Sequence, residues 1–290
     1  MRLAQSRSSP AVSVVILTHD EEATLPACLD SLRGLDCEVF LVDSGSTDRT
    51  VEIARRAGAA VVQHPFEHYG AQRNWAQRHL PLRSEWVLHL DADERLLPDL
   101  VTEINEALAT AGPDTNGFLL RRRTVFMGRW IRHGGHYPSY QLRLYRWKHG
   151  RCEDRLYDQH FLVQGGVARL RHDYLDTVTA DISVWSRRHL RWAELEAAET
   201  LAGGAAGRRV QARMFGGVIG RRRWLRERVF WRLPLFARAF AYWGYRYFVR
   251  LGFLDGVEGL VFHFLQGCWY RVLVDTHIYV ARRRTGGHPC

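Results

Sequence analysis

Three carboxylates end an apolar run: Trp86-Val87-Leu88-His89-Leu90 passes directly into Asp91-Ala92-Asp93-Glu94. Hard divalent cations take oxygen ligands, and they commonly pair one or two carboxylates with the phosphates of a substrate. In extended backbone Asp91 and Asp93 fall on one side and Ala92 on the other, so their spacing suits a shared cation. Two further polar clusters follow apolar runs in the same way. Thr18-His19-Asp20-Glu21-Glu22 follows Val12–Leu17, and Asp43-Ser44-Gly45-Ser46-Thr47-Asp48 follows Glu38–Val42. Small polar residues in such loops hydrogen-bond their own backbone or a ligand. His133, His136 and His160 have no spacing that matches a metal site and are expected to serve loop packing or the acceptor.

These clusters must be positioned by a sheet. The runs at 12–17, 38–42, 59–63 and 86–90 are β-branched or continuously apolar, as strands buried on both faces are. Helices are expected between them: Thr24 can cap one reaching about Leu32, Asp48 can cap Arg49 to Ala57, and a third covers Gly70 to His79. Strands alternating with helices of this length predict a doubly wound α/β fold, mainly parallel, with ligands bound beyond the carboxyl ends of the strands. Pro98 opens a helix to about Ala109. Asn116–Val125 and Gln141–Trp147 alternate like half-exposed strands, and from about Val178 to Leu201 the period is helical. The expected division is a disordered stretch at 1–11, a catalytic domain at 12–175 and a helical region at 176–290.

The chain has 290 residues, 46% of them hydrophobic, which excludes a disordered protein. Its net charge of +10 is almost wholly arginine, since Lys148 is the only lysine. Between Arg208 and Arg250 stand twelve arginines and a single acid, Glu227, a balance that favours an anionic partner. Interleaved arginines and aromatics also suit nucleic acid, but acidic loops at the strand ends would repel a polyanion. Five scattered cysteines suggest a reducing compartment, and the polar first residues lack the apolar core of an export signal. The segment Leu235–Arg250, aromatic and basic at once, and Leu260–Val274 are expected to lie at a membrane surface, with Arg238, Arg246 and Arg250 snorkelling to the headgroups.

Four pieces in order, Val14–Glu22, Val42–Asp48, Gln72-Arg73-Asn74 and Asp91-Ala92-Asp93-Glu94, resemble the nucleotide-diphospho-sugar-binding half of a family 2 glycosyltransferase with the GT-A fold. Gly128-Arg129-Trp130 through Tyr137-Pro138, Arg143-Leu144-Tyr145 and Gly252-Phe253-Leu254-Asp255-Gly256 are similar to the bacterial lipopolysaccharide core β-1,4-glucosyltransferase group. Asp20 stands where the family usually has asparagine, His19 where an aromatic commonly stacks on uracil, and Tyr157-Asp158-Gln159 where the narrower group often has Val-His-Glu.

The resemblance implies inverting transfer of a hexose, glucose above all, from a nucleotide-diphospho-sugar (a UDP-sugar) to a lipid-linked saccharide of the bacterial envelope. It implies Mg2+ or Mn2+ held by Asp93 and Asp91, and a donor bound by Thr18, Asp20, Glu21, Asp43, Arg73 and Asp91. Asp43 would meet the base, and Arg73 would set a positive charge beside the diphosphate. Inversion needs a carboxylate to take the acceptor hydroxyl proton. Glu153, Asp154 and Asp158 are candidates, and the position of Asp154 resembles the acidic pair of related inverting enzymes. The implied location is the cytoplasmic face of the inner membrane, peripheral to an anionic surface. Polyprenyl phosphate is an alternative acceptor.

Overall fold

The structure, a computed structural model, describes residues 9–155, 159–178, 181–202 and 230–285. Most of the expected disordered stretch, Asp158 and the arginines from Arg208 to Arg228 lie outside the described residues. The chain divides into two compact units. One holds the residues up to Arg121 with Gln141–Cys152 and Phe161–Leu175, and the other holds Arg122–Tyr140, Glu153–His160 and the chain from Asp176 onward.

The first unit is built on strands β1 (Val12–Thr18), β2 (Cys37–Asp43), β3 (Ala60–Gln63) and β4 (Trp86–Asp91), which pair in parallel in the order β3-β2-β1-β4. Parallel strands need helical crossovers. These are α1 (Leu25–Asp30), α2 (Thr50–Arg56) and α3 (Tyr69–His79). After β4 come β5 (Glu94–Leu96), α4 (Pro98–Thr110), β6 (Thr115–Phe126), β7 (Arg129–Trp130) and β8 (Ser139–Arg146). Next are the short pair β9 (Gly150–Cys152) and β10 (Phe161–Val163), and then β11 (Gly166–Thr177). Beyond β4 the sheet continues as β8-β6-β11-β5, and β8 runs antiparallel to β4, so the sheet is mixed. No strand is expected from the sequence at Gly166–Thr177. There β11 exposes Val167 and Ala168 along with Arg169, Arg171 and His172 and buries only Leu170, Asp173 and Tyr174, so hydrophobic periodicity carries no signal.

Side-chain alternation gives the sheet two apolar faces. Val12, Val14, Ile16, Leu88 and Leu90 pack with Leu25, Leu100 and Ile104 on one side, while Val15, Leu17, Val42 and Val87 pack with Ala76 and Tyr145 on the other. The register then fixes what stands at the carboxyl edge. Thr18 pairs with Asp43, and Leu17 pairs with Asp91. Each step up β4 is a step back along β8, through Trp86–Arg146, Val87–Tyr145 and Leu88–Leu144, which carries Arg143 toward the same edge.

In the second unit β7 pairs with the end of β6, and α5 (Ile182–Leu201) packs Ala193 and Ala197 against Tyr270, Val274 and Ile278 of the last helix. That last helix, α8 (Tyr270–Thr285), follows α6 (Ala237–Gly244) and α7 (Gly256–Phe264). The helical period expected from Val178 starts later, because Asp181 caps α5 by accepting from the Ser183 and Val184 amides. The expectation that Arg238 and Arg246 reach headgroups is corrected: both are buried. Arg238 pairs with the buried Asp275, and Arg246 donates to the Gly134 carbonyl at 3.0 Å, so only Arg250 of the three is exposed. No helix of the described residues is long and apolar enough to cross a membrane.

Leu90 is 1% exposed, directly before the carboxylates. Leu90→Ala is expected to cost about 2–5 kcal/mol in denaturant unfolding. A loss below about 1 kcal/mol would remove Leu90 from the core.

Candidate functional site at the carboxyl edge of the sheet

The loops after β1 and β2 are laced to each other. Asp43, fully buried, accepts from the Thr18 hydroxyl at 3.2 Å, the Gly45 amide at 3.1 Å, the Ser46 amide at 3.0 Å and the Ser46 hydroxyl. A carboxylate has about four acceptor sites, so these donors saturate it. A nucleotide base that reached Asp43 would have to displace Ser46 or Thr18. Asp20 has a left-handed backbone (φ 54°), a conformation that asparagine and aspartate tolerate best after glycine. Its amide donates to the Ser46 hydroxyl at 2.9 Å, and its Oδ1 accepts from the Thr47 amide at 2.7 Å. The Glu21 amide donates to the Thr50 hydroxyl at 2.8 Å, and the Glu22 amide to Asp48 at 3.0 Å. Thr24 turns its hydroxyl to the Glu21 carboxylate at 2.6 Å rather than capping α1. The result is a preformed rim in which Thr18, Asp20, Glu21 and Asp43 all hold neighbouring loop atoms.

At the end of β4 the strand stops at Asp91, and the chain turns at Ala92 and Asp93 before β5. The three acids therefore do not alternate along one extended run. Asp91 Oδ1 accepts from Arg73 at 2.6 Å and its Oδ2 from Arg143 at 2.9 Å, while the same Arg143 nitrogen reaches Glu94 at 2.6 Å. Glu94 closes the turn by accepting from the Asp91 amide at 2.9 Å. Burial alone would push the Asp91 carboxyl up, but Arg143 and Arg73 outweigh it and hold the group well below the ordinary aspartate range. Both oxygens of Asp91 are thus committed to cations, and a metal would compete with two guanidinium groups for them. Asp93 sits half-buried in the turn itself.

Arg73 lies between the Tyr69 ring (5.6 Å) and the Phe161 ring (5.5 Å), with its Nε buried and without a hydrogen bond. Beneath the arginines His89 is 1% exposed, and neither ring nitrogen has a hydrogen-bond partner. Burial, then Arg73 and Arg143, push its pKa well down, so the imidazole is neutral and packs as an aromatic against Phe161 at 4.8 Å.

Helix α3 ties the edge together. Gln72 donates to the Ser44 hydroxyl at 3.1 Å, and the Asn74 amide makes a two-way bond with the Cys152 backbone, at 3.0 and 2.9 Å. Sequence reasoning gave no role to Arg143, Gln72, Asn74 or Glu94. The available signal was Arg143, a charged residue between Leu142 and Leu144 in a strand, because arginine is rarely buried unless paired.

In the second unit Glu153 is fully buried, accepts from the His160 amide at 3.0 Å and donates its own amide to the His160 carbonyl at 2.8 Å. Arg155 pairs with Glu199 at 2.7 Å. Asp154, between them, is exposed, and Asp158 lies outside the described residues.

Among the described residues no group of three His, Cys, Asp or Glu side chains converges on a metal site. What the turn offers is Asp93, with Asp91 behind it already neutralised. One carboxylate suits magnesium or manganese whose other ligands are diphosphate oxygens and water, so the donor set fits an ion that arrives with its substrate.

A parallel β3-β2-β1-β4 sheet with helical crossovers, an antiparallel continuation and an acidic turn after β4 is the GT-A fold of nucleotide-sugar transferases. The chain belongs to glycosyl transferase family 2, whose profile matches residues 13–179. An uncharacterised glycosyltransferase of Rickettsia typhi is 37% identical over 103 residues, which is 36% of this chain and 35% of that protein. The lipopolysaccharide core biosynthesis glycosyltransferase LpsC of Rhizobium meliloti is 33% identical over 122 residues, 40% of this chain and 44% of that one. The chain thus spans about a third of the length of the rickettsial relatives it matches. The mannosyltransferase of Pyrobaculum calidifontis, in complex with GDP-mannose and Mn2+, shares the fold with a TM-score of 0.50 at 17% identity, covering 97% of this chain and 89% of that one.

Arg143→Met leaves Asp91 and Glu94 short of a cation and is expected to cost about 3–5 kcal/mol. Because the Asp91 pKa is depressed in the fold, its stabilisation is complete above the ordinary value of 3.8 and is lost as pH falls below it. Urea unfolding between neutral pH and pH 3 should therefore show a shallower acid loss in Arg143→Met than in the parent, and parallel curves would refute the coupling.

Proposed function

We propose that the chain transfers a hexose, in the first instance glucose, from a UDP-sugar to a lipid-linked saccharide of the bacterial envelope with inversion, while held at an anionic membrane surface on the cytoplasmic side. The observation that carries this is the acidic turn at the carboxyl edge of the sheet, in which Arg73 and Arg143 bind Asp91 and Glu94 and Asp93 sits half-buried. Membership of family 2 and the likeness to LpsC, named for lipopolysaccharide core biosynthesis, support the reaction class and the acceptor class. The division into a catalytic domain at 12–175 and a helical region from 176 belongs to the same proposal.

The rim formed by Thr18, Asp20, Glu21 and Asp43 orients the nucleotide through the loop atoms it fixes. Asp93 is the residue to hold a magnesium or manganese ion, with Asp91 as the neutralised support behind it. When bound, such an ion supplies Lewis-acid neutralisation of the departing diphosphate. The buried pair Arg73 and Arg143 offsets the charge of Asp91 and Glu94, which lowers the repulsion the acidic turn would otherwise set against an anionic leaving group. Asp154, exposed beside the buried Glu153, accepts the acceptor hydroxyl proton at a carboxylate oxygen. The bond from the acceptor oxygen to the anomeric carbon forms as the bond to the diphosphate breaks on the opposite face, which inverts the configuration.

The test is release of nucleoside diphosphate from a panel of nucleotide sugars, without acceptor and then with extracted envelope glycolipids or polyprenyl phosphate. Asp93→Ala is expected to lower metal-dependent turnover at least about 100-fold, and Asp154→Asn to lose about 100-fold or more of transfer while still binding donor by calorimetry. An Asp93→Ala protein as fast as the parent would refute the proposal.

A further inference from the structure

Between α6 and α7 the chain reverses through a turn that is inverted in polarity. Phe248, Val249, Leu251, Phe253, Leu254 and Val257 are all exposed, Val249 at 68% and Val257 at 70%. The polar groups face inward instead. Asp255 is 2% exposed and accepts from the His133 amide at 2.9 Å and the His133 ring at 2.7 Å. Turns ordinarily show polar residues to water, and contiguous exposed apolar surface of this kind marks an interaction site. Ring contacts make the surface continuous: Phe264 meets Trp243 at 6.1 Å, Trp243 meets Phe248 at 5.8 Å, and Tyr247 meets both Phe248 (5.1 Å) and Phe253 (6.3 Å).

The turn is held rigid while exposed. Gly134 donates its amide to the Arg250 carbonyl at 2.9 Å and accepts from Arg246 at 3.0 Å. Leu251 is kept in a left-handed backbone (φ 60°), which a leucine adopts only when its surroundings enforce it. Two arginines are exposed near the turn: Arg250 stands within it and Arg132 lies over the Trp130 ring at 4.6 Å, while Glu258 pairs with Arg129 at 3.7 Å.

We propose that residues 248–257 form a membrane-entering wedge whose partner is an anionic lipid monolayer. This rests on the proposal that the acceptor is lipid-linked, and it assigns attachment to one turn rather than to helices lying flat with snorkelling arginines. An apolar tip, tyrosine flanks with polar ends, and exposed arginines match the acyl boundary, the interfacial layer and the headgroups in turn.

The test is co-sedimentation of the full chain with vesicles of phosphatidylcholine and phosphatidylglycerol at about 7:3, at low and high salt. The double variant Leu254→Glu, Val257→Glu is expected to lower the vesicle partition at least about 30-fold. Its melting temperature and nucleotide-sugar turnover should stay as in the parent. Phe66→Glu, at an exposed phenylalanine of the first unit, should bind like the parent. The inference is overturned if the double variant sediments as the parent does, or if it dissociates an oligomer on gel filtration without changing vesicle binding. A parent that turns over nucleotide sugar but ignores vesicles removes the wedge and leaves the transfer reaction. A parent whose vesicle binding depends on the turn but which turns over no nucleotide sugar keeps the wedge and removes the reaction.

Discussion

The first unit depends on one cluster of charge: Arg73 and Arg143 straddling Asp91, with Glu94 closing the ring. Two positive and two negative groups, largely withdrawn from water, are tolerable only because each is answered by another. The cluster joins four elements, since Arg73 comes from α3, Arg143 from β8, Asp91 from β4 and Glu94 from β5. Removing any member strands the others, which makes the turn stiff. A stiff turn suits the role proposed for Asp93, because electrostatic assistance to a leaving group works best when the assisting group does not reorganise.

The parallel half of the fold was legible because it is written in simple terms: apolar runs of strand length, each ending in acids or small polar residues, separated by stretches of helical length. The edge on which Thr18, Asp43 and Asp91 gather follows from that pattern alone. What stayed hidden was the wiring. Alternation along an extended strand set Asp91 and Asp93 side by side, yet the strand ends at Asp91, and two distant arginines decide which acid is committed. A pairing between residues 18 or 52 positions apart leaves no periodic trace. Strand β11 escaped for a different reason, since a strand with few buried side chains is held by its backbone bonds and shows no apolar signature.

In the second unit the basic-aromatic composition was legible, but its geometry was not. A block of arginines reads as a solvated or headgroup-seeking face, whereas Arg238 and Arg246 turn inward and serve as buried ties to Asp275 and to the Gly134 carbonyl. Composition reports how much charge a segment carries; only packing says which of it meets solvent. The motifs at 128–138 and 252–256, which lie far apart in sequence, come together through Asp255 and His133.

One detail of that meeting constrains how the chain can diverge. The His263 ring lies so close to Gly134 and Gly252 that a methyl group on either would fall 2.1 Å and 2.6 Å from ring atoms. Three positions in three separate stretches are therefore interlocked like a key between two wards. Loss of the imidazole alone would free neither glycine, because Gly134 keeps a left-handed backbone (φ 67°) and a methyl group at Gly252 would still meet the Arg246 carbonyl at 3.0 Å.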